Sequence, residues 1–160
     1  IFFEDGFPVF FKQNRVGINY SFFNIYKFRS MKKNTPNVAT HLLENPEQYV
    51  LKIGRLLRKL SLDELPNLIN IVKGEMVFVG PRPALYNQDD LMKLRFDAGV
   101  SMLKPGLTGW AQLKYPYGAS AEDAMEKLKF DLYYIKHRSL LLDLTILIRT
   151  VEIVIFGKGR

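Results

Sequence analysis

The chain has 160 residues, enough for one compact unit and too few for two independent ones, and its hydrophobic fraction of 48% and charged fraction of 24% are those of an ordinary globular protein. Its 23 Lys and Arg against 16 Asp and Glu leave a net charge of +7, which points to an anionic partner: nucleic acid, a phosphorylated small molecule or an acidic membrane face. The lack of cysteine excludes disulfides, thiol catalysis and Cys-based zinc sites and fits a cytosolic setting, while His41 and His137 lie too far apart in sequence to suggest a His-rich metal centre.

The chain opens on Ile1 and runs at once into IFFEDGFPVFF, which reads as the middle of a longer protein. No stretch of eighteen residues is free of charge, so no membrane span is expected within it. Residues 7 to 29 are rich in Phe, Val, Ile and Tyr, with turn chemistry at Asn14–Gly17 and Asn19–Ser21; FPVFFKQ and FFNIYKFRS are expected to form a hairpin. Residues 32 to 48 hold two prolines among Asn and Thr, which predicts a loop with a short helical turn and no core residue.

From Val50 the spacing becomes helical. Leu51, Ile53, Leu56, Leu57 and Leu60 share one side and Lys52, Arg55, Arg58 and Lys59 the other, a basic amphipathic helix. A second helix is predicted over 62 to 73, stopping at Gly74, and EMVFVG then reads as a short buried strand ending in Pro81-Arg82-Pro83. Residues 87 to 99 read as helical, LKPGLTGW as a loop, and Ser120 with Asp123 as a capping box opening a helix over 121 to 136. The stretch 139 to 156 has twelve apolar positions interrupted by Asp143, Arg149 and Glu152, a helix apolar nearly all round. The reading is one α/β-type domain over 1–160, mostly helical with a small sheet.

SLDELPNL, residues 61 to 68, raises the chemical question. Ser61 with Glu64 is a capping box, and acids are favoured in a first helical turn. Pro66 opposes that reading, because it would fall at the fifth helical position and lose a hydrogen bond. If Pro66 instead opens the helix, Asp63 and Glu64 lie on an irregular approach, where two adjacent carboxylates can face one site. The upstream cations would offset repulsion between an anionic nucleophile and an anionic phosphate, so the ingredients suit phosphoryl chemistry. Arg82 between two prolines suits phosphate binding as well as it suits an exposed turn. Lys27 and Arg29 read as edge-strand alternation, Lys104 beside a Pro-Gly turn is undecided, Trp110 reads as core, and the two histidines as surface residues. The common nucleotide-binding and hydrolase motifs are absent from the sequence.

The ordered series FFKQNRVG, IYKFRSM, LRKLSLDELPNLINIVKGEM, FVGPRPAL, KPGLTGWAQL and FDLYYIKHRSLLLDL resembles the bacterial sugar transferase family, monotopic polyprenyl-phosphate phosphoglycosyl transferases, over essentially the whole chain. LKYPYGAS looks most like the polysaccharide-initiating branch. The resemblance implies transfer of a sugar phosphate from a UDP-sugar to undecaprenyl phosphate, with Mg²⁺, at the cytoplasmic face of the bacterial inner membrane. It implies Asp63 as nucleophile and Glu64 as its partner acid and metal ligand. Arg58 and Arg82 match phosphate-holding positions, Arg29 a basic position of less definite role, and Lys104 and Gln112 are expected near the substrate. Members also carry an N-terminal re-entrant membrane helix, which this sequence lacks. A non-enzymatic basic module binding an anionic membrane or nucleic acid is the competing expectation, although no nucleic-acid motif supports it, and the enzymatic reading expects no nucleic-acid partner.

Overall fold

Alternating apolar residues build the hairpin at the front of the chain. In the computed structural model, which describes residues 1–36, 43–85, 89–115 and 121–157, a short helix α1 (Phe2–Asp5) leads into β1 (Phe10–Val16) and β2 (Phe22–Phe28). The strands are antiparallel, from Phe10 opposite Phe28 to Val16 opposite Phe22. Asn14 therefore belongs to the ladder, and the turn is confined to Gly17–Ser21, a single 3₁₀ turn at Ile18–Tyr20 in which Asn19 and Tyr20 take positive φ. On β2 the odd positions face inward, so that Phe23 and Ile25 pack with Met76 and Ile71. Contrary to expectation, the segment after the hairpin does contribute to the core, because Leu43 is buried beside the 3₁₀ turn at Pro46–Tyr49. Pro46 opens that turn, and the lack of longer regular structure does not prevent an apolar side chain from packing. His41 lies outside the described residues.

Helix α2 (Lys52–Lys59) has Leu51 at its N-cap, which offers no side-chain acceptor, so its first amides are capped from elsewhere. Glu4 of α1 accepts from the Lys52 amide at 2.5 Å and the Ile53 amide at 3.1 Å. Leu51 is buried, and Gly54 lets α2 approach the hairpin exit so closely that a Cβ there would sit 2.1 Å from the Ser30 carbonyl. The helix stops at Leu60. Ser61 then adopts a left-handed conformation at φ 53°, a 3₁₀ turn runs from Leu62 to Asn67, and α3 (Leu68–Val72) follows, closed by Gly74 at φ 76°. Neither sequence reading of this helix start holds in full: Ser61 makes no side-chain cap, and Pro66 lies inside the 3₁₀ turn rather than opening the α-helix. The irregular approach is nevertheless real.

Strand β3 (Val77–Val79) pairs in parallel with β4 (Gly106–Thr108), within the stretch expected to be only a loop. The glycines there serve close packing more than turning. A Cβ at Gly106 would lie 2.1 Å from the Gly80 amide nitrogen, and one at Gly109 2.2 Å from the Gly80 carbonyl oxygen. Nor is β3 uniformly buried: Val79 faces the core, whereas Phe78 is exposed. Between the strands lies α4 (Asp89–Asp97), and after β4 come α5 (Trp110–Lys114), α6 (Ala121–His137) and α7 (Leu140–Ile155). Ser120, and with it the expected capping box, lies outside the described residues; Asp123 accepts from the Tyr115 hydroxyl at 2.5 Å.

Helix α7 is capped by Ser139, which accepts from the Leu142 amide at 3.2 Å. Ile146 is fully buried against Val79 and Tyr134, with Trp110, Leu113, Leu142 and Leu147 around them. The outer face is different. Leu141, Leu144, Ile148, Val151 and Ile155 are all exposed, so the all-round apolar pattern resolves into one packed side and one open side. Among the described residues, no helix is long and apolar enough to cross a membrane.

Candidate active site

The 3₁₀ turn after Ser61 carries Asp63 and Glu64, and the surrounding elements converge on the second of them. Glu64 Oε1 accepts from Lys27 Nζ at 2.6 Å and from an Arg82 guanidinium nitrogen at 2.8 Å. Lys27 comes from the end of β2 and Arg82 from the turn after β3, so three separate parts of the chain share one oxygen. The side chains are 14% (Lys27), 18% (Glu64) and 29% (Arg82) exposed, enough burial for the charges to interact strongly. Burial alone would raise the Glu64 carboxyl; Arg82 and Lys27 outweigh it and hold Glu64 well below the usual carboxylate range. Burial also pushes the Lys27 ammonium down to about 8, against the pull of Glu64. Asp63 is partly buried beside Glu64. Successive side chains in a 3₁₀ turn diverge by about 120°, so the two acids point in different directions from a common stretch of main chain.

The other expected residues divide. Arg58 is partly buried in the last turn of α2, three positions before Ser61. Arg29 is used differently from its expected ligand role. It is buried, pairs with the Asp5 carboxylate, and donates to the carbonyls of Pro8 at 2.6 Å, Gly6 at 2.5 Å and Asp5 at 3.1 Å. Those contacts commit its guanidinium to fastening residues 5–8 to the hairpin. Lys104 is exposed, with its ammonium near Gly74. Gln112 donates to the Leu107 carbonyl at 3.4 Å, and its buried Oε1 meets no protein donor among the described residues. Trp110 packs in the core cluster and His137 is exposed against Tyr133, both as expected.

Lys27 is the residue that sequence reading undervalued. Its signal was available: it continues the inward-facing odd positions of Phe23 and Ile25, so a cation there is buried and needs an anion. Arg95 and Asp131 also went unremarked. Arg95 donates to the Arg82 carbonyl at 2.6 Å and to Asp131 at 3.3 Å.

Among the described residues no group of three or more His, Asp or Glu could enclose a metal ion. Glu64 suits a weaker arrangement, in which a single carboxylate shares a Mg²⁺ ion with phosphates of a substrate. An ionised Glu64 meets the requirement for a hard oxygen donor.

Residues 1–157 match the bacterial sugar transferase family along almost their whole length. The chain belongs to that family. The chain is 39% identical over 155 residues to UDP-N-acetylgalactosamine-undecaprenyl-phosphate N-acetylgalactosaminephosphotransferase of Aeromonas hydrophila, covering 95% of this chain and 36% of that protein. It is 42% identical over 154 residues to the uncharacterized sugar transferase EpsL of Bacillus subtilis (strain 168), covering 96% of this chain and 73% of EpsL. It is 36% identical over 172 residues to undecaprenyl-phosphate galactose phosphotransferase of Salmonella typhimurium (strain LT2), covering 98% of this chain and 35% of that relative. The chain thus spans about a third of the first and last of these proteins and about three quarters of EpsL. Membership in a transferase family favours an enzyme over a non-catalytic basic module.

Proposed function

We propose that this chain moves a sugar phosphate from a UDP-sugar to undecaprenyl phosphate, releasing UMP, and so starts the assembly of a bacterial polysaccharide or related glycan. The observation that carries the reading is Asp63 on the turn beside Glu64, whose carboxylate is held ionised by Lys27 and Arg82, within a chain matching the sugar transferase family over residues 1–157. The names of the Aeromonas and Salmonella relatives support undecaprenyl phosphate as acceptor.

In the first half-reaction an Asp63 carboxylate oxygen attacks the β-phosphorus of the donor. The bond from that phosphorus to the bridging oxygen breaks, its electrons leave on UMP, and Asp63 carries the sugar phosphate as an acyl phosphate. In the second, a phosphate oxygen of the lipid attacks the same phosphorus and Asp63 departs as a carboxylate. Two like charges at 4 Å repel by about 4 kcal/mol at an effective dielectric of 20, so the anionic nucleophile needs nearby cations to approach a diphosphate. Lys27 and Arg82 supply them, and Arg58 adds a third at the end of α2. Glu64 is the residue that would hold Mg²⁺, and the bound ion would neutralise charge on the diphosphate. Work at the cytoplasmic face of the inner membrane suits a lipid acceptor and is supported by the open apolar side of α7.

The reaction is tested by incubating the protein with MgCl₂, undecaprenyl phosphate and each of several UDP-sugars while UMP is measured. Release is expected with at least one sugar, and Asp63→Asn should abolish it. Full activity in Asp63→Asn would remove Asp63 as nucleophile, and no UMP from any donor would remove the reading itself.

A further inference from the structure

Pro81, Arg82 and Pro83 form the turn between β3 and α4, and each of their carbonyl oxygens is held by a different part of the fold. Pro81 accepts from the Gly106 amide of β4 at 2.9 Å, Arg82 from Arg95 of α4 at 2.6 Å, and Pro83 from Arg15 of β1 at 3.1 Å. Neither proline has an N–H to offer, and their rings restrict φ, so the carbonyls are the handles by which this stretch can be gripped.

The grip on Arg82 has a second layer. Arg95 also donates to Asp131 of α6 at 3.3 Å, and the two side chains are 13% and 10% exposed. Burial pushes Arg95 down and the Asp131 carboxyl up, with each partner only partly offsetting it. A buried ion pair in this position gives little stability that a packed apolar pair could not give. What it does give is direction. Asp131 fixes one edge of the Arg95 guanidinium, and the other edge is thereby aimed at the Arg82 carbonyl.

We propose that Arg95 and Asp131 are positioning residues that hold the Arg82 main chain so that its guanidinium meets Glu64 and the diphosphate of a nucleotide ligand. The ligand in this inference rests on the transferase reading; the positioning rests on the contacts. Helix α6 thereby acts on the Glu64 site through Arg95 and the 81–83 main chain.

The test is a double-mutant cycle. The pair replacement Arg95→Met with Asp131→Leu is made in the native chain and in Arg82→Ala, and UDP affinity, UMP release and thermal midpoint are measured for all four proteins. In the native background UDP binding is expected to weaken about tenfold, with a thermal midpoint within a few degrees of the parent. In Arg82→Ala the same replacement should change UDP affinity less than about twofold, because the group being positioned is gone. Arg95→Lys keeps the charge but not the planar fork that puts donors on two separate nitrogens, and should restore only part of the affinity. If the pair replacement fails to fold, Asp131→Asn replaces it in the cycle.

Equal losses in both backgrounds, or no loss in the native one, overturn the positioning role. Equal losses with UMP release intact overturn it alone and leave the transferase reading standing. The expected coupling in UDP affinity, found in a protein that releases no UMP from any UDP-sugar, does the reverse. A native chain that does not bind UDP overturns both.

Discussion

Replacing Glu64 by Gln should make the stability of the folded chain depend on pH where the parent's does not. In the parent, Lys27 titrates at about 8 because burial lowers it from 10.5 while Glu64 pulls it back. Without the carboxylate the ammonium falls further, toward the values of about 5–6 known for fully buried lysines. Between about pH 6 and pH 8 the variant's folded state then lacks a proton that the unfolded chain still binds, so its stability rises with pH by up to about 1.4 kcal/mol per pH unit. Over most of that window Lys27 of the parent is protonated in both states and adds little slope. Glu64 of the parent adds none there either: its lowered folded value gives stability that is complete above the ordinary carboxylate range and is lost only in acid. The variant should gain about 2–3 kcal/mol relative to the parent, or about 5–10 °C in midpoint for a domain of this size. Thermal unfolding followed by circular dichroism in EDTA at pH 6, 7 and 8 reads this directly. A gap between parent and variant that stays constant over the three conditions would refute the account of Lys27 as a buried cation held charged by Glu64.

Arg29→Met should lower stability by about 3–5 kcal/mol, since it leaves the Asp5 carboxylate and the carbonyls of Asp5, Gly6, Pro8 and Met31 without their shared donor. Urea denaturation checks the loss, and UMP release per folded molecule should stay close to the parent's; a selective rise in KM for the UDP-sugar with stability unchanged would return Arg29 to the site. Gly54→Ala places a methyl 2.1 Å from the Ser30 carbonyl and should destabilise by about 1–3 kcal/mol despite the better helix propensity of alanine, again read by urea. Ile146→Ala empties a fully buried position beneath β3 and should cost about 2–5 kcal/mol in the same assay, with no change in UDP affinity below the unfolding transition.

The parts legible in the sequence were those governed by near neighbours. Alternation along residues 10–28 specified the hairpin, helical spacing specified α2 and α7, and the acids at 63 and 64 stood out because an awkward proline followed them. Long-range partners were not legible in the same way. Lys27 near the end of β2 and Arg29 just beyond it look alike in sequence, yet one turns to a carboxylate 37 residues away and the other to carbonyls of residues 5–8. Charge says that a cation needs a partner, not whether that partner is a side chain, the main chain or a ligand. Strand β4 was missed because three residues have no readable period, and its glycines signal both a turn and a close approach of two backbones.

The three-way meeting at Glu64 also bears on how the protein is made. A ribosome delivers Asp63 and Glu64 before Arg82, and Arg82 before the α6 carboxylate that steadies it through Arg95. At about 5–20 residues per second, roughly three to thirteen seconds separate the emergence of the acids from that of Asp131. During that interval the chain holds the adjacent carboxylates of Asp63 and Glu64 without the finished surround of Arg82. The last third of the sequence therefore completes the surroundings of Arg82, even though the acids themselves lie in its first half.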